Sequence, residues 1–195
     1  MEKASNSSLW IEEGYILFAQ EGLQGVHIER LSRILGLNKS GFYYHFGDFE
    51  CYCVALLDCY QERIEDYLLN IRSINSVDPG YLEILVKHKL TVMFHLQLVQ
   101  CKSNHPFYTT GHRIAKAIDR REDIIICDTW ADFIGVHDNP GLAINYFNII
   151  RDMFYARLSF KDLNIIFLQK IFGEVRTLTK AITKSNAVEA SPLVF

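Results

Sequence analysis

The sequence predicts an all-α fold of about nine helices, short ones at the N-terminus and a bundle of longer ones after them. Three observations carry this expectation. Apolar residues recur at steps of three and four over most of the chain, runs that alternate apolar and polar residues are few, and proline and glycine fall at widely spaced boundaries. Ile11, Tyr15 and Phe18, with Leu17 beside them, place a first amphipathic helix at 6–21. Gly14 sits inside it, where a side chain is dispensable if another helix crosses closely, and Gly22 stands where a left-handed residue would end it. Ile28, Leu31, Ile34 and Leu35 mark a second, short helix that stops at Gly36. Asn38 is placed to cap a third, which runs to about Tyr44 and turns Phe42 and Phe46 inward. Asp48 caps a fourth over 49–74, with Val54, Leu57, Ile64 and Leu68 on its inner side.

After a break at 76–80, a helix is expected over 80–102, carrying Leu82, Leu85, Val86, Met93, Phe94 and Leu98. Residues 103–110, which contain Pro106, read as a loop with a short helical turn, and 112–136 as the next helix. Asn139-Pro140 opens another, to about 159, because proline in a first helical turn has no lost N–H to account for. Asp162 caps a last helix over 163–184, and the tail 185–195 has too weak a pattern to place.

The 195 residues are 49% hydrophobic, which suits a chain that buries a core and excludes intrinsic disorder. No apolar run reaches the roughly 18 residues that span a bilayer, and the first residues lack a basic start followed by an apolar run. A soluble, cytoplasmic protein with no membrane partner is expected. Five cysteines, Cys51, Cys53, Cys59, Cys101 and Cys127, form no Cys-x-x-Cys pair, so reduced thiols are expected, with no metal and no cofactor.

The segment 22–46 reads GLQGVHIERLSRILGLNKSGFYYHF. Two short helices meet through Gly36, with Leu37 plugging the angle between their buried faces: a helix-turn-helix, whose second helix can enter a DNA major groove. With Phe42 inward, Lys39, Ser40, Gly41, Tyr43 and Tyr44 are left outward. Hydroxyls, small residues and one lysine suit a phosphodiester backbone, since tyrosine hydroxyls and helix N-terminal amides donate to phosphate oxygens. Tyrosines so placed also serve simply to cover apolar surface, and His45 to cap the end of the helix.

The run GLNKSGFYYHF followed by GDFE, with the helix before it, resembles the DNA-binding domain of the TetR family of transcriptional regulators over about residues 8–57. The resemblance implies a DNA-binding domain at 1–47 and an effector-binding and dimerisation domain at 48–195. It implies a homodimeric, ligand-responsive repressor of a near-palindromic double-stranded DNA operator. By motif position, Asn38 would cap the reading helix; Lys39, Ser40, Gly41 and Tyr44 would lie nearest base edges and backbone; Tyr43 and His45 would touch phosphate. Where the family carries a threonine this chain has Val26 or His27, and His27 joins the DNA-contacting set; where it carries a lysine this chain has Phe49. The same fold having lost DNA recognition is the alternative.

Charge is lean for such a role. The whole chain carries −3, and residues 1–50 hold four basic against seven acidic side chains. Over 24–46 the balance is Arg30, Arg33 and Lys39 against Glu29, or +2. Each neutralised phosphate contributes roughly −0.9 to the log–log salt slope, so a shallow dependence is expected, well short of about −8.

His88 and His95, and His105 and His112, are each seven residues apart, so each pair is expected on one helix face. Met93, Phe94, His95, Phe107, Trp130 and Phe133, together with Tyr108, form an aromatic-rich set, most of it ordinary core, from which an unknown small-molecule effector's site is expected to be drawn, with His95 and Asp132 placed to orient the ligand or to pair with each other or with Arg113. The helices at 139–159 and 163–184 carry more apolar surface than one buried face needs, in particular Tyr146, Ile149 and Met153 beyond the Phe147 stripe, and are the expected homodimer face, a larger intramolecular core being the plainer alternative. No catalytic order of Ser, His and Asp, no HExxH and no glycine-rich phosphate loop occurs, so no catalytic residue is expected.

Overall fold

The computed structural model describes residues 6–189, with side chains described through 179. Among the described residues there are nine α-helices and no strand: α1 Asn6–Glu21, α2 Ile28–Leu35, α3 Lys39–Phe46, α4 Phe49–Ile71, α5 Leu82–Lys87, α6 Lys89–Gln100, α7 Pro106–Ile134, α8 Pro140–Arg157 and α9 Ile165–Glu189. No described helix is long and apolar enough to cross a membrane.

Part of the local punctuation of the first half is as expected. Gly22 ends α1 at φ 72°, and Gly36 ends α2 in the left-handed conformation at φ 66°, which a side chain would strain. Asp48 caps α4, its Oδ1 accepting the Cys51 N–H at 2.7 Å. Four boundaries differ. The third helix continues through Phe46, and α4 stops at Ile71, where Ser73 turns back to donate its hydroxyl to the Asn70 carbonyl. The expected helix over 80–102 is three pieces: a wide turn at Val77–Tyr81, α5, and α6, with His88 leaving helical geometry between them. The expected loop at 103–110 is mostly helix, because Pro106 starts α7 and His105 accepts the Phe107 N–H on Nδ1 at 3.2 Å.

At the last helices, Asn139 caps α8 through Leu142 N–H at 2.9 Å. The α9 cap is Asn164, which accepts from Phe167 N–H at 3.1 Å, and not Asp162, whose carboxylate takes the Ser159 hydroxyl instead. The helix runs on to Glu189, into the segment that had too weak a pattern to place, while 190–195 lie outside the described residues.

The chain forms two compact units, Met1–Leu69 with His88–Arg120, and Asn70–Lys87 with Arg121–Phe195. They cut across the 47/48 boundary, since Tyr52 of α4 packs its ring 4.9 Å from both Phe42 and Phe46 of α3. In the first unit α1 lies against α2, α3 and α6, and its core is a set of fully buried rings: Trp10, Tyr15, Phe18, Phe42, Tyr52, Tyr60 and Phe94. Tyr15 and Tyr60 stack on Phe94 at 4.4 and 5.0 Å. The second unit is centred on Trp130, with Phe147 5.4 Å and Phe172 6.2 Å from it. Beside them the buried Glu122 accepts the Tyr81 hydroxyl at 2.9 Å, and Arg151 pairs with Asp123 at 2.8 Å.

Candidate nucleic-acid interface

The turn between α2 and α3 is fixed locally. Gly36 turns left-handed, Leu37 N–H donates to the Ser32 carbonyl at 3.1 Å, and the Ser32 hydroxyl donates to the Leu37 carbonyl. Leu37 is half-buried in the angle. Asn38 holds the cap position in extended geometry, but its side chain makes no cap hydrogen bond; its backbone carbonyl accepts Gly41 N–H at 2.9 Å. The side-chain cap expected there is therefore absent, and the exposed amide of Asn38 faces outward beside Lys39. His27 likewise occupies the cap position of α2, exposed and without a side-chain cap bond.

One residue anchors α3. Phe42 is fully buried, 5.4 Å edge-on to Trp10 and 5.1 Å from the half-buried Phe46. Burying one residue of an eight-residue helix turns the rest out. Lys39, Ser40, Tyr43, Tyr44 and His45 are exposed, Tyr44 at 85% and Tyr43 at 51%, so neither tyrosine serves as core. His45 packs edge-on to Tyr44 at 5.2 Å. Gly41 has open space where a Cβ would stand, so nothing inside the protomer requires a glycine there.

The cations beside this face are largely engaged. Arg30 forks onto Glu21 with both N···O distances at 2.6 Å, and also donates to the Gly25 carbonyl. Lys39 lies 3.2 Å from Glu29. The Arg30 hydrogen bond holds the Glu21 carboxyl below its ordinary range; at Glu29 a backbone N–H and then Lys39 do the same. Among the described residues of this segment, Arg33 is the exposed cation without an ion pair.

The residues expected around an effector do not come together. Met93, Phe94 and His95 are buried in the core of the first unit, because three consecutive positions of α6 all fall between packed helices. His95 is held on both sides, with Tyr60 Oη 2.6 Å from Nδ1 and Asp119 Oδ1 3.1 Å from Nε2, rather than by Asp132 or Arg113. Trp130 and Phe133 belong to the second unit, where Asp132 pairs with His137 at 2.9 Å and Phe133 borders a cavity of about 250 Å³. The shared-face expectation for the histidines also fails: His88 stands in the break before α6, against the Tyr67 ring, and His105 precedes α7.

Of that set, Phe107 alone borders the larger cavity, about 340 Å³, within the first unit. Buried Cys53, Leu57 and Phe107 contribute apolar lining, while Glu50, Asp58 and Arg113 line it with charge. Burial pushes the Cys53 thiol up to about 12, so it is a neutral surface. Val54, expected inside, is 59% exposed and lines the same cavity. The signal that could have found it is in the sequence: Glu50, Val54, Leu57, Asp58 and Gln61 share one helical stripe that mixes charged and apolar residues.

Comparison with protein-family models, with curated proteins and with solved structures finds no match for this chain.

Proposed function

We propose that this chain is a DNA-binding transcriptional regulator, a homodimeric and ligand-responsive cytoplasmic repressor that reads a near-palindromic operator through α3. The observation that carries the reading is the division of α3 into one buried anchor, Phe42, and an outward face of Lys39, Ser40, Tyr43, Tyr44 and His45 behind a turn fixed by Gly36. Two tyrosine hydroxyls, a serine and helix N-terminal amides donate to phosphate, and Gly41 lets a backbone approach without a side chain between. Leu142, Ile149 and Met153 of α8 and Ile166 and Leu178 of α9 are exposed apolar residues, which supports a self-complementary face.

The 340 Å³ cavity is the better candidate for the effector than the residues buried in the cores. It is lined from the first turns of α4, the helix that directly follows α3, so a ligand that prefers one placement of α4 biases the reading helix. It does so only by its differential affinity for the two placements.

The test is fluorescence anisotropy with the chain's own upstream region, together with selection from a random duplex library. Tyr44→Ala and Lys39→Ala should each weaken binding while leaving the far-UV circular dichroism unchanged. A wild-type chain that retains no duplex above background overturns the reading. That outcome would favour a ligand-binding module of the same fold, which the absence of a cation at Phe49 and the engagement of Arg30 and Lys39 by carboxylates already support.

A further inference from the structure

We infer that Glu29 competes with DNA phosphate for Lys39 and thereby sets the affinity and salt response of the reading face, an inference that rests on the proposed DNA-binding role. Lys39 is the first residue of α3 and the only cation on its outward face, yet its ammonium lies 3.2 Å from the Glu29 carboxylate of α2. Both side chains are solvent-accessible, at 52% and 73%, so the pair opens readily and either group is within reach of an incoming polyanion. A second cation of the motif, Arg30, is held by Glu21 in a two-pronged contact that also uses the Gly25 carbonyl. Those three contacts hold Arg30 more firmly than the single contact holds Lys39, which is the cation of the reading face whose engagement is more readily exchanged.

Phosphate contact by Lys39 then has a cost that a free lysine lacks. The ammonium leaves Glu29, and the released carboxylate, now beside a duplex, recruits a cation from solution. Each phosphate neutralised releases roughly 0.9 of a counterion, and recruitment at Glu29 cancels part of that release. The chain should therefore show a salt slope shallower than its phosphate contacts imply. Removing the Glu29 charge should tighten binding and steepen the slope together, two effects that a purely structural role of Glu29 would not produce.

The experiment measures anisotropy of a labelled random-sequence duplex against salt concentration, because the electrostatic term does not depend on sequence. The proteins are wild type, Glu29→Gln, Lys39→Met and the double variant. Glu29→Gln should tighten binding by up to about fivefold at low salt, the upper end for an exposed ion pair, and steepen the slope by up to roughly one. In the Lys39→Met background most of the gain should vanish, since no ammonium is left to liberate. Glu29→Ala serves as a second variant, read alongside circular dichroism. An equal gain in both backgrounds means general repulsion of the duplex by Glu29 and overturns the exchange. No gain in either background overturns it as well. If wild type and Glu29→Gln both leave the duplex free, the DNA-binding role itself fails, and the inference with it.

Discussion

Replacing Gly14 by alanine should be among the most damaging single-methyl changes in this chain. A Cβ built there would stand 1.7 Å from Tyr52 Oη and 2.8 Å from its Cζ. Tyr52 is fully buried, its hydroxyl donates to the Trp10 carbonyl at 2.7 Å, and Phe42 and Phe46 pack against its ring. The ring cannot retreat without breaking that bond and pressing on α3. Burial already pushes the phenol's ionisation far above its ordinary range, so charging cannot relieve it. Overpacking costs about 1–3 kcal/mol. The Tyr52 hydroxyl, buried and left without its acceptor, costs about 1–3 kcal/mol more, while the Trp10 carbonyl keeps its bond within α1. Alanine returns about 1 kcal/mol of helix propensity. The net is about 3 kcal/mol, or about 6–12 °C of melting temperature for a chain of this size. Urea unfolding followed by circular dichroism reads the first figure and a thermal scan the second. Tyr52→Phe removes the nearest clashing atom, so the double variant should lose clearly less than the sum of the singles. A Gly14→Ala protein as stable as wild type would refute the close crossing of α1 over α4. Because Tyr52 supports Phe42, the same variant should also weaken duplex binding, whereas Lys39→Ala would weaken it at unchanged stability.

Three further outcomes follow from the structure. His95→Leu removes the group that bridges Tyr60 and Asp119 inside the first unit, and should cost about 3 kcal/mol in urea unfolding, against under about 0.5 kcal/mol for the exposed His27→Ala. The lowered carboxyls of Glu21, held by Arg30, and of Asp48, held by Cys51 N–H, stabilise the fold above their ordinary ionisation range, and that stability is lost as pH falls through their depressed values. Acid titration from pH 6 downward should thus show stability falling below about 4.5, with the fall reduced in Glu21→Gln and Asp48→Asn; unchanged curves would discount both contacts. Charging the apolar face of α8 with Ile149→Glu and Met153→Glu should turn a dimer into a monomer in light scattering at unchanged helix content, and a wild-type monomer would remove dimerisation from the proposal.

What could be read from the sequence was whatever is decided within a few residues of chain. Gly22 and Gly36 announce helix ends at positive φ, Asp48 and Asn139 announce caps, and Phe42, the phenylalanine inside the short α3, announces which way that helix faces. The failures have the opposite character. The interruption at His88 falls in the polar triplet Lys87-His88-Lys89, which reads as one solvated turn of a continuous helix because apolar residues resume at Leu90 and Val92 at helical spacing. Met93, Phe94 and His95 were candidates for a pocket because composition marks a wall and a core identically, and only the helices packed against α6 decide between them. At the other extreme, Arg30–Glu21 and Lys39–Glu29 join residues nine and ten apart across a turn, a spacing that no helical periodicity singles out. Counting charges over 24–46 gives +2, but two of its three cations, Arg30 and Lys39, are engaged by the carboxylates of Glu21 and Glu29, and only the folded turn brings those partners together.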